Sequence, residues 1–133
     1  MESSNRIIQK IQTMAKKHEN VAVLWLYGSR AKGLEQADSD YDLAVAFNHF
    51  PDDAWQQRLQ PENLAHEWAE ELDLEEKKLS VIDINHVPIQ LAMAVIEHGK
   101  LLQSNNELRL IKEENRITSM WEIDHMYHRK QYG

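Results

Sequence analysis

Seven consecutive apolar residues, Val21-Ala22-Val23-Leu24-Trp25-Leu26-Tyr27, stop at Gly28. A run of that length without polar alternation predicts a strand buried on both faces. The chain must therefore cover both sides of a sheet, which calls for helices in layers around it. The run is the longest apolar stretch in the sequence and far too short to span a bilayer, so no membrane association is expected.

The rest of the pattern supplies those layers. Ile7, Ile8, Ile11, Met14 and Ala15 recur at helical spacing, with Ser4 or Asn5 available as N-cap. Tyr41 to Phe47 is a second strand, mostly apolar after two acids, and Phe50-Pro51-Asp52-Asp53 is a turn. Pro61 is expected to open a helix whose stripe is Leu64, Ala65, Trp68, Ala69 and Leu72. Glu70, Glu71, Glu75, Glu76, Lys77 and Lys78 read as its exposed end and the following loop. Leu79, Val81 and Asp83 alternate with Ser80, Ile82 and Ile84, a third strand. Pro88 starts a helix over Ile89 to His98, which Gly99 stops. Ser104 with Glu107 forms a capping-box pattern for a last helix running through Trp121 to about Tyr127, before a polar tail expected to fray. The order α-β-β-α-β-α-α predicts an α/β (α+β) domain with a small mixed sheet flanked by helices.

Length and charge limit what such a domain does. The 133 residues make one domain, 1–133, long enough for one core. The absence of Cys excludes disulfides, zinc–thiolate sites and thiol catalysis. A net charge of −7 argues against gripping long nucleic acids by counterion release, so no direct nucleic-acid binding is expected. Small anionic ligands escorted by a metal remain open. Met1-Glu2-Ser3-Ser4-Asn5 lacks a basic region followed by an apolar stretch, so a cytoplasmic location is expected.

Chemistry concentrates in Gly28-Ser29-Arg30-Ala31-Lys32-Gly33 and, with ten residues between Ser29 and Asp40, in Asp40-Tyr41-Asp42. Residues i and i+2 of a strand point to one face, with Cα atoms about 6.5–7 Å apart. Two carboxylates so placed suit Mg²⁺, a hard cation that prefers oxygen ligands and phosphate partners. Two such ions lie about 3.5–4 Å apart in many phosphoryl-transfer sites. Gly28 at a strand end lets the backbone approach a phosphate closely. The Ser29 hydroxyl and the N–H groups after it can bind that phosphate, and Ser29 can equally cap a short helix. Arg30 can form a fork to phosphate oxygens, while Lys32 reads as a surface lysine. Asp83 stands in an otherwise apolar strand, where a carboxylate is costly unless paired or bound to metal. If that strand lies beside the second, Asp83 can complete the metal site or accept a proton from an attacking hydroxyl. Alone, it is a strand-end acid capping the turn into Asn85.

Gly28-Ser29, ten residues, Asp40-x-Asp42 and Asp83 on a later strand together resemble the nucleotidyltransferase fold of the DNA polymerase β superfamily. The short chain resembles in particular the minimal nucleotidyltransferases that serve as antitoxins in HEPN–MNT pairs, the MntA type. The resemblance implies Gly28, Ser29 and Arg30 at the nucleotide and Asp40, Asp42 and Asp83 as catalytic, Mg²⁺-ligating acids, with two ions. It implies transfer of AMP from ATP to a tyrosine hydroxyl of a cognate HEPN RNase toxin held in a heteromeric complex. The same fold also serves antibiotic-modifying enzymes, and an antitoxin can act by binding alone. The short chain shows no second domain to shape a drug pocket, and its acid cluster looks intact.

The remaining residues read more plainly. His125 and His128, three apart beside Asp124, are a solvated helix face rather than a metal pair. Trp25 is core, and Trp55, Trp68 and Trp121 are core or interface anchors. The last helix, about 105–128, carries more apolar groups than one stripe needs: Leu108, Ile111, Ile117, Met120, Trp121, Ile123, Met126 and Tyr127. They either pack on the sheet or present a face to a partner.

Overall fold

A computed structural model describes the backbone of residues 4–132 and the side chains of residues 5–127. In chain order the elements are α1 (Ser4–Lys17), β1 (Val21–Tyr27), α2 (Ser29–Lys32), β2 (Tyr41–Phe47), α3 (Ala54–Leu72), a 3₁₀ turn (Glu76–Lys78), β3 (Leu79–Asp83), α4 (Ile89–His98), β4 (Lys100–Ser104) and α5 (Glu107–Tyr132). The sheet order is β3-β2-β1-β4. Strand β1 is antiparallel to β2 and β4, whereas β2 and β3 are parallel. This is the mixed sheet flanked by helices that the pattern predicts.

The apolar run is central, as its composition demands. Helices α1 and α3 cover one face, where Ile11, Leu64 and Trp68 pack with Leu24, Leu26, Leu43, Val45 and Val81. Helices α4 and α5 cover the other, where Ala92, Val95 and Ile117 pack with Val23, Trp25, Ala44, Ala46 and Ile84. A register shift between Val21 and Val23 in the β1–β2 pairing lets Ala22 and Val23 join the same core. Among the described residues no helix is long and apolar enough to cross a membrane.

Four features differ from the expected pattern. Helix α3 begins at Ala54 rather than at Pro61, because the Asp53 side chain caps it by accepting from the Trp55 N–H at 3.0 Å. Pro61 lies inside the helix, where its missing N–H removes one hydrogen bond. The segment after Gly99 is a strand, β4, paired with β1. A Cβ on Gly99 would collide with the carbonyl oxygens of Val95 and Leu26, so this glycine permits the close approach of α4 to β1. Ser104 ends β4, and Asn106 Oδ1, not Ser104, caps α5 by accepting from the Arg109 N–H at 3.0 Å. Finally, α5 continues through Tyr132 rather than ending near Tyr127. Ser4 and Asn5 fall within α1 from its first described residue, and the residues before them lie outside the described chain.

Helix α5 is locked to the sheet by a buried polar network. Glu113 accepts from Asn85, Arg109 and Arg116 at 2.9–3.0 Å. Arg109 also donates to the Phe47 carbonyl and Arg116 to the Ile84 carbonyl, which ties the helix to the ends of β2 and β3. Burial pushes the Glu113 carboxyl up, but those donors outweigh it and hold it below the usual glutamate value.

Candidate active site

Strand β1 delivers Gly28 into a backbone geometry that favours glycine, φ 75° and ψ −158°. The chain then turns into α2, whose Ala31 and Lys32 N–H groups both donate to the Gly28 carbonyl. Gly33, at φ 72°, closes the turn. A Cβ on Gly28 would collide with the carboxylate of Asp42. Turn and acid are thus packed directly together, an arrangement the antiparallel Tyr27–Asp42 pairing sets up.

Asp40 and Asp42 share a face across the start of β2. Burial raises the Asp42 carboxyl above the usual aspartate value, and the negative charge of Asp40 raises it further. Two oxygen-donor groups that repel each other suit one divalent cation between them, which would relieve the repulsion.

Arg30 is held by contacts within the protein. It is 6% exposed. Its Nε and Nη2 donate to the Ser39 carbonyl at 3.1 and 2.6 Å, and its guanidinium lies 4.0 Å over the Tyr41 ring. It pins the loop that presents Asp40, assisted by Lys78 Nζ, which donates to the Asp38 carbonyl at 2.6 Å. Arg30→Ala is therefore expected to lower any activity that uses Asp40 by on the order of 10²-fold, because a small displacement of a reacting group costs about that much. Arg30→Lys should fail to restore it, since an ammonium offers neither the planar fork nor the stacking. Rates compared where circular dichroism shows all variants folded check this; full activity in Arg30→Ala would contradict it.

Asp83 is not in this constellation. The parallel register pairs Asp42 with Ser80 and Val45 with Asp83. Asp83 is three positions after Ser80, an odd offset, so it points to the opposite face and lies at the far end of the strand. It is 3% exposed, its Oδ1 accepts from the Asn85 N–H at 2.9 Å, and His86 Nδ1 lies 2.9 Å from Oδ2. Burial dominates and raises its carboxyl, against lowering by Asn85, His86 and Arg109. Asp83 lines a cavity of about 390 Å³ between α3 and β3, with Arg58, Glu62 and His86. The expectation that it is the third acid of the site is corrected: it is the strand-end acid that caps the turn into Asn85.

The residues beside Asp42 are ones that sequence reasoning missed. Ser80 is its partner on β3 and Tyr27 its partner on β1. Burial raises the Tyr27 phenol above its usual value, and the charge of Asp42 raises it further. Among the described residues no group of three or more His, Cys, Asp or Glu is placed to hold a metal ion. Asp40 and Asp42 therefore stand as a pair, and neither His125 nor any other described residue adds a further ligand set.

Residues 9–108 match the model of the family described as "Polymerase beta, Nucleotidyltransferase". The chain belongs to the polymerase β nucleotidyltransferase family. No curated protein sequence matches it. Among solved structures, a chain of a toxin–antitoxin complex with AMP-PNP aligns with TM-score 0.67 and 21% identity, covering 97% of this chain and 94% of that one. A chain from the tri-AMPylated Shewanella oneidensis HEPN toxin in complex with MNT antitoxin aligns with TM-score 0.67 and 19% identity, covering 97% and 93%. A chain of an MntA–HepT toxin–antitoxin structure aligns with TM-score 0.66 and 19% identity, covering 96% and 93%. These similarities establish a shared fold over nearly the whole chain.

Proposed function

We propose that this protein is a Mg²⁺-dependent protein adenylyltransferase that acts as an antitoxin, transferring AMP from ATP to a tyrosine hydroxyl of a cognate HEPN RNase. The observation that carries the reading is the packing of the Asp42 carboxylate directly against Gly28, with Asp40 beside it. The family and the AMP-PNP-bound and AMPylated complexes of similar fold support it.

In this reading Gly28 and Ser29 hold the triphosphate, through backbone N–H groups and the Ser29 hydroxyl. Asp40 and Asp42 hold the divalent cation, which supplies charge neutralisation at the triphosphate. The acceptor oxygen forms a bond to the α-phosphorus, the bond to pyrophosphate breaks, and the phenolic proton leaves to solvent. Arg30 keeps Asp40 in place from behind the site. The outward side of α5 exposes Leu108, Ile111, Met120, Ile123 and Met126, an apolar surface suited to the toxin.

The test incubates the protein with ATP labelled at the α-phosphate, Mg²⁺ and the purified HEPN partner. Label on a toxin tyrosine, with loss of RNase activity, is the expected result. Label on aminoglycosides or lincosamides alone would replace the reading by a small-molecule transferase. Toxin neutralised without any label would replace it by inhibition through binding.

A further inference from the structure

The same register that removes Asp83 from the site says what takes its place. On β3 the residue beside Asp42 is Ser80, and its side chain shares the Asp42 face. Tyr27 stands on the other side of Asp42, so the carboxylate is flanked in the sheet by two hydroxyl side chains and by no further acid. No third carboxylate, imidazole or thiol joins Asp40 and Asp42 among the described residues. We infer that Ser80 occupies the position a third carboxylate would need, so that the chain presents two carboxylates and takes up one divalent cation with its nucleotide rather than two.

The consequence concerns the attacking side of the reaction. Asp40 and Asp42 suffice to hold a cation that arrives with the triphosphate, which brings oxygen ligands of its own. A second ion on the acceptor side would need an anionic ligand, and a serine hydroxyl supplies no charge. Nor can Ser80 or Tyr27 remove the acceptor proton as a carboxylate would; it passes to solvent. Ser80 is exposed at the start of β3, so a longer acidic side chain has room. This inference rests on the nucleotidyl-transfer reading.

The experiment counts Mn²⁺ bound per chain in the presence of saturating AMP-PNP, by electron paramagnetic resonance of free Mn²⁺. One ion is expected for the wild type and for Ser80→Asn, and two for Ser80→Asp. The gain of a positioned base should also raise AMP transfer in Ser80→Asp by about 10²-fold, at the lower end of what such a group contributes. Two ions in the wild type, or a count that stays at one in Ser80→Asp, would overturn the inference while leaving the nucleotide reading intact. No Mn²⁺ retained by either protein would overturn both.

Discussion

Asp40→Asn combined with Asp42→Asn is expected to reduce nucleotidyl transfer by on the order of 10³-fold or more, since cation-assisted charge stabilisation is worth several kcal/mol and each 1.36 kcal/mol is tenfold. The same change should raise thermal stability when divalent cations are chelated. Burial and the charge of Asp40 hold the Asp42 carboxyl above its unfolded value. A carboxyl so raised is protonated more readily in the folded chain, so its ionisation weakens folding as pH rises from the unfolded value through the folded one. Asparagine removes it. Melting curves at pH 7 with EDTA, alongside label transfer, give both readouts. A variant that keeps its activity would contradict the assignment of the two acids, and one that melts lower would contradict the electrostatic account. A site strained by its own charges in this way gains stability when a cation binds, so Mg²⁺ with ATP should raise the melting temperature of the wild type.

Glu113→Ala should destabilise the fold by about 3–5 kcal/mol. Glu113 is 5% exposed, and its removal strands Arg109 and Arg116 against the sheet without a counter-charge. The pH dependence has the opposite sign to that of Asp42. A carboxyl held below its unfolded value contributes stability above that value, near pH 4.5, and loses it as pH falls through the folded value. Urea titrations of wild type and variant should therefore show a gap at pH 7 that narrows at pH 3. A gap that is unchanged at acid pH would mean that Glu113 acts through packing rather than through its charge.

Much of the architecture was legible because it follows from burial. The apolar run of β1, the helical spacing in α1 and the stripe of Leu64, Ala65, Trp68, Ala69 and Leu72 all mark surfaces that must leave water, and all but the half-buried Ile8, Met14 and Tyr27 are buried. Strand β4 was not legible. It is short, lies at a sheet edge and has no fully buried residue, so it shows no pattern of its own and is held by its pairing with β1. The helix starts were misread where two good signals competed. Pro61 and Ser104 fit the statistics of helix starts, but Asp53 and Asn106 make the hydrogen bonds.

The candidate site divides in the same way. Asp40 and Asp42 share a face for a local reason, the two-residue repeat of a strand, and Gly28 closes β1 because the next turn needs its backbone freedom. Such relations lie within a few residues, so the order of amino acids alone specifies them. Arg30, Ser80 and Asp83 depend on something else. Whether Arg30 meets a phosphate or the Ser39 carbonyl depends on how the intervening loop folds back. Whether Asp83 or Ser80 stands beside Asp42 depends on the offset between two parallel strands separated by a long helical connection. That offset is decided by packing across the whole sheet, and a shift of a single residue would exchange one face for the other.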